Sequence, residues 1–193
     1  VFDTPDPTRV VLGVDPGVSR CGYGAVARSG HQLTALACGV VRTPPSDPLP
    51  QRLASLASEL EVLVDETRPT AIVVERVLFQ VNARTAMSVG QASGLVLTVA
   101  GRRGIPVVHY SPNEVKLAVA GDGSAGKEEV QQMVKRLLAL RVVPRPADAA
   151  DALALAICHW WRVPLQEAIG ADGSDRSRLD AAIAAAVDRE GVG

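Results

Sequence analysis

Arg9-Val-Val-Leu-Gly-Val-Asp15 is apolar through its interior, then closes on a carboxylate and the turn pair Pro16-Gly17. A short run rich in Val, bounded by turn chemistry, reads as a buried strand rather than a helix. Outward from it, residues 21–28 and 33–43 read as two further strands. The turns at 16–20 and 29–30 are too short for helical crossovers, so these three strands are expected to form an antiparallel meander. Pro44-Pro-Ser-Asp-Pro48 breaks the chain, and Leu49–Thr67 then shows helical spacing at Leu53, Leu56, Leu60 and Leu63 or Val64. Ala71-Ile-Val-Val-Glu75 is a second short apolar run that ends on a carboxylate.

A helix is expected over 82–103, carrying the small residues Ala86, Gly90, Ala92, Ser93 and Gly94, and a strand over 105–110. Ser111-Pro112-Asn-Glu114 holds an N-cap, a proline at the first helical position and a glutamate at the third, which predicts a capped helix to about Ala120. Helices over 127–140 and 147–162 complete the pattern. The fold class is therefore α/β: a mixed five-stranded sheet, antiparallel meander plus parallel strands, flanked by helices. Residues 1–8 read as an N-terminal extension, 9–162 as the folded domain, and 163–193 as a flexible tail.

At 193 residues, 47% hydrophobic and 21% charged, the chain has the composition of a globular domain with a substantial core. Its apolar stretches are interrupted well short of a membrane span, which argues against a membrane protein. With no basic, apolar leader at its start, a cytoplasmic location is the expectation. Cys21, Cys38 and Cys158 are odd in number and lack metal-ligand spacing, so they read as buried small hydrophobes. The net charge of −1 hides an asymmetry: from Arg76 to Arg145 there are ten Arg or Lys against four Asp or Glu. A basic half beside an acidic cluster suits a polyphosphate ligand held over bound metal, although a solvated mixed-charge surface gives the same count.

Four carboxylates are the candidate chemistry: Asp15, Glu75, Asp148 and Asp151. Two end strands, and two stand three apart at the start of a helix, on one face of it. Converging, they would bind a hard, oxygen-seeking cation such as magnesium. Singly, Asp15 suits its turn, and Asp148 and Asp151 suit helix-start positions. Glu75 is harder to dismiss, because a charge closing an apolar strand needs a partner. Crowded together, the four would raise one another's pKa unless a cation binds.

The strings Gly13-Val-Asp-Pro-Gly17 with Gly22-Tyr-Gly24, Val74-Glu-Arg-Val77 with Asn82, and Gly90-Gln-Ala-Ser-Gly94 resemble the RuvC family of Holliday-junction endonucleases. So do 112–119 with Lys116, Gly123-Ser-Ala125 with Lys127, and Pro146-Ala-Asp-Ala-Ala-Asp-Ala-Leu153. The match runs in order over roughly residues 9–162. It implies an RNase H-like fold, a homodimer, and paired symmetric nicks in four-way DNA junctions, leaving 5′-phosphate and 3′-hydroxyl ends. It further implies two magnesium ions per subunit, with manganese as a substitute, held by Asp15, Glu75, Asp148 and Asp151. Lys116 and Lys127 match lysines that engage DNA near the scissile phosphate, and Asp15 is expected to bridge the ions. Arg76, Asn82 and Arg84 are further DNA-binding candidates, and the RuvA–RuvB branch-migration machine is the implied partner.

One departure stands out. The family commonly has an aromatic three residues after the strand-ending glutamate, where this chain has Leu78, with Phe79 next. Either Phe79 stacks on an unpaired base or Leu78 acts as an apolar wedge. Two other classes fit the residues less well. A nucleotide-binding ATPase of the actin type would normally need a second such domain. A metal-free DNA-binding dimer would not need all four acids.

Overall fold

The computed structural model describes the backbone of residues 9–76 and 83–171 and the side chains of residues 9–76 and 86–163. Its strands are β1 (Arg9–Asp15), β2 (Arg20–Ser29), β3 (Gln32–Arg42), β4 (Ala71–Glu75) and β5 (Val107–Tyr110). Its helices are α1 (Leu49–Thr67), α2 (Ala83–Arg102), α3 (Pro112–Ala120), α4 (Lys127–Leu137) and α5 (Ala147–Ala171). The chain divides into two units, residues 1–160 and 161–193. The first holds the sheet, and in the second the helical backbone extends to Ala171.

The sheet order is β3-β2-β1-β4-β5, with β1 at its centre. β1, β2 and β3 pair antiparallel, as their short turns require, while β4 is parallel to β1 and β5 parallel to β4. Parallel neighbours need a crossover, and α1 and α2 supply the two that this sheet uses. The expected mixed sheet is thus observed.

Three boundaries differ from the sequence reading. β5 begins at Val107 rather than at residue 105, since Pro106 has no N–H to donate; its carbonyl still accepts from Ile72. α4 ends at Leu137 rather than at residue 140, where Ala139 takes a positive φ of 49°. α5 continues past Arg162 to Ala171, beyond the end that the sequence pattern suggested. At α3 the capping box is present in full: the Ser111 hydroxyl accepts from the Glu114 N–H, and the Glu114 carboxylate accepts from the Ser111 N–H at 2.8 Å.

Strand alternation splits the core into two layers. On one face Val10, Leu12, Val14, Ile72 and Val74 pack with Leu56, Leu60 and Val64 of α1 and with Ala92, Val96 and Val99 of α2. On the other, Val11, Val26 and Val73 pack with Val115 and Val119 of α3, Val130 and Val134 of α4, and Leu153 and Ile157 of α5. Cys21 and Cys158 are buried as expected, and burial pushes the Cys21 thiol up to about 12. Cys38 corrects that expectation: it is exposed, since β3 is an edge strand whose positions Thr34, Leu36 and Cys38 stay uncovered.

Three glycines let α5 lie directly on the sheet. A Cβ added at Gly13 would fall 1.9 Å from the Ala152 carbonyl oxygen, and one at Gly22 would fall 2.2 Å from that of Asp148. Gly24, opposite Gly13 across β1 and β2, would meet the backbone nitrogen of Leu153 at 2.8 Å. The facing surface of α5 is correspondingly small, with Ala149, Ala152 and Ala156 fully buried. No larger residue fits at these contacts, and the first turn of α5 is thereby brought to the ends of β1 and β2.

Candidate active site

Val14 is paired with Val74 in the parallel register of β1 and β4, so the next residues, Asp15 and Glu75, stand side by side where both strands end. Alternation turns them to the face of Val11, Gly13 and Val73, the one that α5 covers. Asp148 and Asp151, one helical turn apart at the start of α5, are carried there by the glycine contacts.

A ligand oxygen from each of Asp15, Asp148 and Asp151 lies within 4.8 Å of the others, all partly buried. Glu75 stands outside this trio but lines the same cleft as Asp15 and Asp151, and is electrostatically coupled to both. Oxygen-only donors this close suit a hard divalent cation, so the trio can hold a metal ion.

The electrostatics of the site point the same way. Burial lifts the Asp15 carboxyl to about 7, and the negative charges of Glu75, Asp151 and Asp148 add to the rise. Glu75 is raised as well, by burial first and then by Asp151. Neighbouring carboxylates in a low dielectric cannot all ionise without a compensating charge.

Part of that charge comes from Lys127, the first residue of α4, whose Nζ lies 2.8 Å from Asp151 Oδ2. Its proton is held more tightly because of Asp151, and its charge draws Asp15 and Glu75 back down. Lys116 of α3 lines the same cleft of about 280 Å³, against an apolar wall of Val115, Val130 and Leu155. Both lysines singled out in the sequence therefore line the cleft that holds the carboxylates, with Lys127 in contact with Asp151.

Arg76 follows β4; its N–H donates to the Tyr110 carbonyl at 2.7 Å and its guanidinium to that of His109 at 3.4 Å. Leu78, Phe79 and Asn82 lie outside the described residues, as does the side chain of Arg84. One charged group at the site escaped the sequence reading: Arg20, which donates from Nε to Asp148 Oδ2 at 2.8 Å. Its signal was available, two residues before Gly22 on a strand that alternates toward α5. No helix among the described residues is long and apolar enough to cross a membrane.

The family model for crossover junction endodeoxyribonuclease RuvC matches residues 11–159. A relative of that name from Rhodococcus opacus is 53% identical over 158 residues, covering 81% of this chain and 84% of its own length. Another from Salinispora arenicola is 52% identical over 180 residues, 93% of this chain and 95% of its own. Among solved structures, Thermus thermophilus RuvC in complex with Holliday junction substrate is similar, with a TM-score of 0.78 and 38% identity. The alignment covers 82% of this chain and 96% of that one. The sheet order and its flanking helices are those of the RNase H-like RuvC structures. On matched span, identity and fold alike, the chain belongs to the RuvC family.

Proposed function

We propose that this protein is a metal-dependent endonuclease that resolves four-way DNA junctions by paired, symmetric nicks. The observation that carries the reading is the convergence of Asp15, Asp148 and Asp151 within 4.8 Å beside Lys127, in a chain of this family. These carboxylates would hold magnesium, two ions per subunit with Glu75 completing the donor set, and manganese as a substitute. Bound there, the ions would supply an activated water and offset charge on the leaving 3′ oxygen.

The chain's own residues do the rest. Asp15, at the end of the central strand, stands next to both Glu75 and the α5 pair and is the candidate bridging ligand. Lys127 balances the cluster before substrate arrives. With the phosphodiester in place, its ammonium and that of Lys116 are within the same cleft to offset charge building on the pentavalent phosphorus. Water oxygen bonds to phosphorus, the P–O3′ bond breaks, and the products carry a 5′-phosphate and a 3′-hydroxyl. The apolar wall of the cleft lowers the dielectric beside the partly buried carboxylates and so strengthens these interactions. Arg76, Leu78, Phe79, Asn82 and Arg84 are assigned to DNA contact.

Two opposed strands of a two-fold junction must be cut, which calls for a homodimer. Support for its interface comes from α2: a Cβ at Gly90, Gly94 or Gly101 would meet nothing within 4 Å, and Met87 and Leu97 beside them are exposed. Among the described residues nothing packs where a Cβ on this stripe would stand, whereas Ser93, at its flank, is buried. A cytoplasmic location and delivery to junctions by a RuvA–RuvB branch-migration complex go with the reading. So does the division of the chain into an extension (1–8), a nuclease domain (9–162) and a tail (163–193).

Titrating magnesium against a synthetic four-way junction, a linear duplex and a flap tests it. The expected result is paired cleavage of the junction alone, absent without the cation. Equal cutting of all three substrates, or none at any magnesium or manganese concentration, would overturn the reading.

A further inference from the structure

Arg20 opens β2, two residues before Gly22, and alternation turns both toward α5. Its guanidinium reaches Asp148 through Nε at 2.8 Å and through a terminal nitrogen at 2.5 Å, and both contacts fall on Oδ2. That leaves Oδ1 as the oxygen to face a cation shared with Asp15 and Asp151. The arrangement is set by the backbone, since the missing Cβ of Gly22 is what lets the Asp148 carbonyl lie against β2. Across the ladder Arg20 is paired with Arg42, a like-charge opposition that favours turning the guanidinium toward a carboxylate.

The two α5 carboxylates are thus held by different cations. Lys127 grips Asp151 and also acts on Asp15 and Glu75, a point charge inside the cluster. Arg20 is half-exposed and grips Asp148 from outside, through a rigid fork. A half-exposed pair contributes little to stability, so orientation is what it has to offer.

On the reading of the site given above, we propose that Arg20 is a positioning residue for phosphodiester cleavage. It clamps Asp148 by Oδ2 so that Oδ1 faces the metal, and its positive charge competes with that metal for the carboxylate. The two effects have opposite consequences. Without the guanidinium, a cation loses a competitor and binds more tightly, while Asp148 gains freedom to turn and the reacting geometry loosens.

The test compares the full chain with Arg20→Met and Arg20→Lys in three measurements: calorimetric Mn²⁺ binding without DNA, junction affinity against salt, and single-turnover cleavage at saturating Mg²⁺. Arg20→Met is expected to bind Mn²⁺ about 2- to 5-fold more tightly, the range open to a screened, half-exposed charge. It should also cleave roughly 10-fold or more slowly, with junction affinity unchanged, since a small misplacement of a reacting group is costly in rate. Arg20→Lys should keep the parent's Mn²⁺ affinity and recover only part of the rate, having the charge without the fork. Weaker Mn²⁺ binding together with slower cleavage would mean a damaged site and overturn the proposal. So would a loss confined to junction affinity with a salt slope smaller by about one, the mark of a phosphate contact. Parent-like behaviour of both variants would overturn it too. Failure of the unsubstituted chain to cleave would count against the functional reading, and the Mn²⁺ isotherms would still decide the clamp.

Discussion

The two faces of one sheet are built by different rules. Toward α1 and α2, β1 presents Val10, Leu12 and Val14, and β4 presents Ile72 and Val74, all packed. Toward α5 the intervening residues of the same strands are Val11, Gly13 and Asp15, then Val73 and Glu75. One face fills its volume with side chains. The other empties its volume at Gly13, Gly22 and Gly24 so that helix backbone meets strand backbone, and it ends in carboxylates. The α5 face gives up packing and charge balance to bring Asp15, Asp148 and Asp151 together with Glu75 beside them, while the α1–α2 face carries stability without regard to chemistry.

The largest effect is expected at Asp15. Asp15→Asn should reduce cleavage to background while junction binding holds or strengthens, because a ligand charge is lost and repulsion toward phosphate goes with it. The same substitution should stabilise the metal-free protein at neutral pH. Burial lifts the Asp15 carboxyl to about 7 in the folded chain, against an ordinary 3.8, so between those values the native state keeps a proton the unfolded state has released. Stability therefore falls as pH rises through that window, and the loss is complete above about pH 7. Thermal melts without metal should converge for the two proteins near pH 4 and separate by a few degrees at pH 8, with Asp15→Asn the higher. Magnesium should raise the melting temperature of the parent but not of the variant. A parent melting curve independent of pH between 4 and 8 would break the claim that this face is charge-strained.

Next in size is a contrast between faces. Gly22→Ala drives a Cβ into a helix carbonyl, so α5 must move. Overpacking of this kind costs about 1–3 kcal/mol, and a ligand displaced by about an ångström loses roughly 100-fold in rate. Leu12→Ala, on the opposite face and fully buried, should cost about 2–5 kcal/mol in stability. Per folded molecule, however, Leu12→Ala should cleave as the parent does. Denaturant unfolding paired with single-turnover rates on each variant checks both halves. Equal rate losses per folded molecule would abolish the distinction between the faces.

Lys127→Ala and Lys116→Ala should show smaller losses, about 10- to 100-fold in single-turnover rate, with Lys127 the larger because it touches Asp151. Junction affinity should fall less than rate for both. If affinity falls instead and the rate at saturation holds, the lysines serve DNA docking rather than the reaction.

Much of this was legible in the sequence because the strongest signals are local. The β1 boundary, the α1 heptad-like leucines and the Ser111–Glu114 box each depend on neighbours within a few residues, and each lies where expected. Glu75 announced itself because a charge closing an apolar run has few bland explanations, whereas Asp15 alone suits its turn and stood out only beside the other acids. Arg20 did not, since its partner is 128 residues away and an arginine at a strand start is ordinary. Nor did the role of Gly13, Gly22 and Gly24, which show as motif letters in sequence but as missing volume only when α5 is set against them. The ends of α4 and β5 moved because a positive φ at Ala139 and the absent N–H of Pro106 outweigh hydrophobic pattern there.

The smallest expected effect on chemistry, and the last test of the contrast, lies on the outer surface of α2. Its inner side, Ala92, Val96 and Val99, belongs to the stable layer, whereas its outer stripe of Gly90, Gly94 and Gly101 is exposed and has open space, among the described residues, where a Cβ would stand. If that stripe serves only self-association, Gly94→Leu should leave the monomer fold intact. The new side chain has open space, and replacing a helical glycine favours the helix by up to about 1 kcal/mol. Self-association should nevertheless weaken by 10-fold or more, a rough expectation for a bulky residue at a close helix contact. Sedimentation read beside thermal melting separates the two outcomes. Nicking of one strand should persist at high protein concentration, while paired incision becomes uncoupled, as it should in mixtures of parent and Asp15→Asn subunits, where one strand alone is cut. A Gly94→Leu protein that sediments as the parent does, with paired incision intact, would remove α2 from the interface.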